Sequence, residues 1–294
     1  MSTRMKRFSL HSILRLLVAA ISIPLLTGLF VLFTTGEAAA HASHPALQYV
    51  ALGDSLPFGY QPDNDFTHGY ASDLFQTLQT KQGYGTFANF SCSDDTTATF
   101  INGDPTQSNS QRGCLVPEVQ TSSQLSVAKA YLQVHASDIG LVTLQIGIDD
   151  FLNSGAINLT NCQVDPAIFN AQLTTVDTNL TQTILPQLKQ ALSAAPKHQA
   201  KLVLVDYFNP LQQLCPNTTA YINTLNQHLK QDAHGYAAFV GINHLFTTQN
   251  LCQLTWICND LPPTLGDIHP RDEGYALIAD TIYNRIFCHR EIED

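Results

Sequence analysis

An α/β fold on a parallel sheet, with helices covering both faces, is what this sequence of 294 residues predicts. Two observations carry the prediction. Short apolar runs alternate along the chain with longer segments of helical character, so each pair of strands is separated by a crossover helix. The runs are also apolar throughout, rather than at every second residue, which marks strands buried on both faces. Neither a repeat nor a low-complexity linker interrupts the succession, and the length suits one large domain.

The elements follow in order. "LQYVAL" (47–52) is a strand that stops at Gly53-Asp54-Ser55. "HGYASDLFQTLQTK" (68–81) reads as a helix and "GTFANFSC" (85–92) as the second strand. A polar loop around "NGDPTQSNSQRGC" (102–114) leads to the helix "SSQLSVAKAYLQVH" (122–135) and the strand "DIGLVTLQIG" (138–147). The long helical segment 169–195 precedes the strand in "AKLVLVDYFNP" (200–210). Helix 219–235 leads to "YAAFVGINHLF" (236–246), and "RDEGYALIADTIYNRIFC" (271–288) closes the fold. Ligands of such sheets bind beyond the carboxyl ends of the strands, where Ser55, "IGIDD" (146–150) and "YFNP" (207–210) all fall.

Residues 1–42 stand apart. Arg4, Lys6, Arg7 and Arg15 precede the apolar stretch Leu16–Phe33, and an alanine-rich exit places cleavage after Ala40 or Ala42, the pattern of a secretory signal peptide. The apolar part is nearly long enough to span a bilayer, so an uncleaved membrane anchor is the alternative. The expectation is a secreted, extracellular domain over 43–294, or the same domain anchored to a membrane. Without residues 1–42 it has ten Lys+Arg against 23 Asp+Glu, a net charge of −13. That acidity argues against nucleic acid or an anionic membrane surface as partner. A monomer is expected.

All seven cysteines lie beyond the signal segment, and export makes disulfides their default fate. Neighbours in sequence suggest Cys92–Cys114, Cys162–Cys215 and Cys252–Cys258, with Cys288 left over, although spacing alone does not fix connectivity. There is no C-x-x-C pair and no His-x-x-x-His helix, so no metal is expected. Asp63 and Asp65 in "PDNDF" are too few for a calcium loop. Phosphate-binding glycine motifs are also missing, and no cofactor is expected.

Ser55 is the candidate nucleophile. A serine hydroxyl needs a base to take its proton and donors to receive the oxyanion. "GDSLP" is not a G-x-S-x-G elbow, and a capped strand-to-helix turn is the competing reading. His269, in "GDIHPRDEGYALIA", is the candidate base at the mouth of the last helix, with Asp267 two residues upstream to orient it. A surface capping histidine is the bland alternative. His68 in "FTHGY" reads as local structure near the site.

"ALGDSLPFGY", "IGIDDFL" and "DIHPRDEGYALIA", in that order, resemble the GDSL or SGNH hydrolase family, over about Leu47 to Phe287. The resemblance implies a three-layer α/β/α sandwich of flavodoxin-like type and serine-dependent ester hydrolysis, in a secreted bacterial lipase/esterase-like branch. It implies Ser55 as nucleophile and oxyanion donor, with His269 as base. Three positions depart from its pattern. Asp94 stands where a glycine N–H usually meets the oxyanion. Asp149 replaces an asparagine whose amide donates there. The acid usually lies three residues before the histidine, at Gly266, whereas Asp267 is one residue closer; a backbone carbonyl is the alternative partner of the imidazole.

An ionised Asp149 has no proton to donate, and one such donor is typically worth about 10²–10³ in kcat. A protonated Asp149 would donate, shifting activity to the acid side. The function expected is ester hydrolysis of a small-molecule, lipid or acylated-glycan substrate. The alternative is a catalytically degenerate SGNH-fold protein that binds a lipid or glycan without turnover. Trp256, Phe66 and Tyr60 are the candidates to line an acyl pocket.

Overall fold

The computed structural model describes residues 46–104, 113–116, 118–119, 122–158, 161–193, 200–259 and 266–288. The signal segment and most of the polar loop 102–114 lie outside the described residues. Five strands form one sheet: β1 (Gln48–Gly53), β2 (Thr86–Asn89), β3 (Ile139–Gln145), β6 (Lys201–Val205) and β7 (Ala238–Val240). Their order is β2-β1-β3-β6-β7, and every neighbouring pair is parallel. Burial explains the sequence pattern: every residue of the central strands β1 and β3 is buried, while the edge strands β2 and β7 are partly open.

Helices fill the crossovers. They are α1 (Ser55–Phe58), α2 (Tyr70–Gln82), α3 (Thr97–Asn102), α4 (Gln124–Val134), α5 (Ile148–Asn153), α6 (Pro166–Asn179), α7 (Leu185–Leu192), α8 (Thr218–Ala233), α9 (Leu251–Leu254) and α10 (Asp272–Tyr283). One layer packs α2 on α10, with α9 beside them; the other joins α3, α4, α6, α7 and α8. The chain is thus a three-layer α/β/α sandwich. A π-helical turn, Leu180–Ile184, connects α6 to α7, whose second residue is Pro186. Proline lacks the N–H that a regular ladder needs, so the continuous helix expected over 169–195 is interrupted there.

Besides the short helices α1, α5 and α9, helix α3 and a two-stranded ribbon were not expected. Helix α3 is held by reciprocal Thr96–Thr99 capping and by Asp150, which accepts the backbone N–H and hydroxyl of Thr97 at 2.8 and 2.7 Å. A two-stranded antiparallel ribbon, β4 (Ile157–Asn158) with β5 (Gln163–Val164), follows α5. Three disulfides are present, Cys92–Cys114, Cys162–Cys215 and Cys252–Cys258, and Cys288 is free and exposed. Among the described residues no helix is long and apolar enough to cross a membrane.

Candidate active site

Strand β1 delivers Ser55 through a backbone that only glycine permits. Gly53 has φ +130°, and a Cβ there would lie 1.8 Å from the carbonyl oxygen of Gln145. The Gln124 side chain clamps the same residue, accepting its N–H at 2.6 Å and donating to its carbonyl at 2.9 Å. Asp54 is fully buried and caps α1 by accepting the N–H of Leu56 at 3.1 Å. It also accepts the hydroxyl of Tyr207. Burial pushes its carboxyl up to about 7, although both hydrogen bonds pull the other way.

The Ser55 hydroxyl lies 2.8 Å from His269 Nε2. On the far side of the ring, Nδ1 lies 2.7 Å from Asp267 Oδ1, and that same oxygen accepts the backbone N–H of His269 at 2.9 Å. This is an Asx-turn, in which an aspartate folds back on the residue two places ahead. It explains how a carboxylate only two residues away reaches the imidazole. Burial raises the Asp267 carboxyl, but its bonds and charge interaction with His269 outweigh this and hold it below the ordinary range. At Gly266 no side chain fits: a Cβ would stand 2.4 and 2.5 Å from the carbonyl oxygens of Trp256 and Ile257.

The segment carrying His269 is fixed from outside. Trp256 N–H donates to the His269 carbonyl at 3.0 Å, Arg271 N–H donates to Leu254 at 2.8 Å, and Cys252–Cys258 closes the intervening loop. The Tyr60 ring packs on the imidazole, with centroids 4.6 Å apart.

Opposite this arm stand carboxyl groups. Asp94 has φ +62°, a left-handed conformation that aspartate tolerates better than most residues, close to the Cys92–Cys114 disulfide. Asp149, on the first turn of α5, is 6% exposed, and its Oδ2 is buried without a hydrogen-bond partner. Burial drives this carboxyl well above the ordinary carboxylate range, and the charges of Asp54, Asp94, Asp150 and Asp95 drive it further. Asp150 is pushed up to about 6 by burial, against its bonds to Thr97.

Ser55, His269, Asp94 and Asp149 all line one cavity of about 260 Å³. Its apolar wall is Leu56, Ile148, Leu152, Phe208, Pro210 and Ile268. Trp256, Phe66 and Tyr60, expected there, are not part of it. The Trp256 indole N–H instead donates to Gln61 at 3.1 Å and its ring carries the Arg271 guanidinium at 4.2 Å, while Phe66 packs on Phe58 and Tyr60. These aromatics serve the scaffold around His269. His68 approaches Asp73 at 3.9 Å and does not line the cavity. A larger open hollow of about 480 Å³, edged by Asp206, Asn209 and His244, contains no serine or cysteine.

Sequence reasoning missed Gln124 and the Asp54–Tyr207 pair. The pair was within reach: Asp54 is part of the Gly-Asp-Ser stretch, and Tyr207 opens the "YFNP" stretch just beyond β6. Among the described residues, no group of three or more His, Cys, Asp or Glu is arranged to hold a metal ion.

A family model described as GDSL-like Lipase/Acylhydrolase matches residues 49–282. The chain belongs to that family. Membership makes it a hydrolase of the lipase and esterase type. No curated protein sequence matches it. Among solved structures, a lipase from a goat rumen metagenome has a TM-score of 0.55 at 16% identity, covering 81% of this chain and 96% of the other. A catalytic mutant of an acetylxylan esterase from Geobacillus stearothermophilus gives 0.53 at 15%, covering 82% and 94%. An extracellular lipase from Streptomyces rimosus gives 0.48 at 21%, covering 80% and 100%. At these identities the first two likenesses establish the three-layer fold and nothing finer about the GDSL chain.

Proposed function

We propose that this GDSL-family chain is an exported serine ester hydrolase acting through Ser55, His269 and Asp267. The observation that carries the reading is the unbroken hydrogen-bond chain from Ser55 Oγ through both imidazole nitrogens to Asp267 Oδ1, at the wall of an apolar cavity. Ser55 Oγ attacks the ester carbonyl carbon while its proton passes to His269 Nε2. The carbonyl oxygen becomes an oxyanion facing the backbone N–H groups of Ser55 and Asp94. Collapse breaks the bond to the alcohol, which leaves with the proton from Nε2. Water then repeats the sequence on the acyl-serine, releasing the acid and restoring Ser55. Asp267 keeps the imidazole in the tautomer that presents a bare Nε2 to the serine.

The apolar wall supports a short- or medium-chain acyl group in the cavity, each buried methylene contributing about 0.8 kcal/mol. Three disulfides support an oxidising compartment. The test is hydrolysis of aryl esters of increasing acyl length by the protein and by Ser55→Ala. Turnover that survives the substitution rejects the reading. A second reading, ligand binding without turnover, is favoured by Asp94 and Asp149 beside the serine. It predicts that a serine-directed phosphonate leaves Ser55 of the folded protein unlabelled.

A further inference from the structure

We infer that Asp149 works as a neutral carboxylic acid, donating a hydrogen bond to the substrate's carbonyl oxygen as charge develops there; this rests on the hydrolase reading of Ser55. Geometry comes first. Asp149 shares the small cavity with Ser55 and His269, it is 6% exposed, and its Oδ2 is buried with no partner in the protein. Such a buried polar atom costs stability unless something in the cavity answers it. A bound carbonyl oxygen can accept a hydrogen bond from a carboxylic acid and receives none from a carboxylate.

The surroundings decide which form is present. From the end of β1 comes Asp54, whose nearest donor, the Tyr207 hydroxyl at the end of β6, is committed to it. The segment after β2 contributes Asp94 and Asp95, and α5 itself contributes Asp150. His269 lines the same cavity but spends Nδ1 on Asp267 and Nε2 on Ser55. Helix α6, packed behind α5, places Phe169 and Val176 there, and its one carboxylate, Asp177, binds His228. No lysine or arginine lines the cavity among the described residues. An additional negative charge at Asp149 would face other carboxyl groups with no cation to offset it, and burial and those neighbours both favour the protonated form. A carboxyl kept neutral by its site so that it can donate is an established device of enzymes.

The proposal separates Asp149 from an inert filler through the shape of the pH profile. In Asp149→Asn the donor is permanent, so kcat should hold on the alkaline side, where that of the wild type declines. On the alkaline limb the variant should exceed the wild type, by up to the roughly 10²–10³ in kcat that one donor commands, as Asp149 loses its proton. The protonated-carboxyl C=O band seen by infrared spectroscopy should lose a component in the variant. Phosphonate labelling of Ser55 is run on both proteins in parallel. If Ser55 is labelled, the two profiles coincide and the infrared band loses no component in the variant, the role of Asp149 is refuted while the hydrolase reading stands. If Ser55 of the folded protein is not labelled, both fall.

Discussion

The two walls of the cleft around Ser55 both carry aspartates, yet they are wired in opposite ways. On the His269 wall, Asp267 is tied to the imidazole and to the backbone, and those bonds hold its carboxyl below the ordinary range. On the other wall, Asp149 is deeper, surrounded by carboxyl groups, and one of its oxygens has no partner. In the proposed mechanism the same side chain thus serves as an anion where a cation forms beside it, and as a neutral acid where an anion forms. Local partners, rather than residue type, assign the two roles.

That contrast can be broken most severely at its centre. Ser55→Ala should reduce kcat by about 10⁴-fold or more, as loss of a nucleophile does in serine hydrolases; steady-state ester hydrolysis measures it. Next comes a matched pair of substitutions. Asp267→Asn removes the anion that orients His269 and should lower kcat by about 10²–10⁴ at all pH values. Asp149→Asn should instead raise alkaline activity, so one chemical change has opposite signs on the two walls. Equal losses in both variants would erase the distinction between them.

Smaller effects sharpen the comparison. Gly266→Ala should cost about 3 kcal/mol or more in stability, because its Cβ meets two backbone carbonyls that cannot yield cheaply; chemical denaturation reads this out. The weakest effect concerns pH. Asp54 and Asp206 are pushed up to about 7 and Asp150 to about 6, each chiefly by burial. In the unfolded chain aspartate titrates near 3.9, so the folded state binds more protons between these values. Their stabilisation is fully present below about pH 4 and disappears as pH rises through 6 to 7. Asp267 and the exposed Asp65 act in the opposite sense, but they are outnumbered by the raised carboxyls. The thermal midpoint should be higher at pH 5 than at pH 7.5 by about 4 °C or more, and a lower midpoint at pH 5 would overturn this account.

Much of the architecture was legible because central strands buried on both faces leave an unmistakable apolar trace, as "LQYVAL" and "LVTLQI" do. Helix α3 left none. "TATFIN" is short and rich in β-branched residues, and its helix depends on Asp150, more than fifty residues away in sequence. Ser55 and His269 could be paired as candidates by order and setting, and the structure brings them within 2.8 Å. The partner of His269 was harder to choose, since spacing alone does not reveal an Asx-turn. The cavity wall was harder still. Trp256, Phe66 and Tyr60 are conspicuous in a linear reading, whereas the wall is largely aliphatic, with Ile148 and Leu152 beside Phe208, residues that look like core.

The placement of the three disulfides has a practical corollary for anyone making this protein. None of them links two strands of the main sheet. Cys92–Cys114 adjoins Asp94, Cys252–Cys258 closes the loop that braces His269, and Cys162–Cys215 joins the ribbon after α5 to the chain beyond β6. Bacterial cytoplasm keeps thiols reduced. Material expressed there should retain a folded sheet with the loops around Ser55 and His269 unfixed, so that yield and circular dichroism both look sound while activity is poor. Soluble expression is thus a misleading quality criterion here, and periplasmic or oxidative production is the appropriate choice.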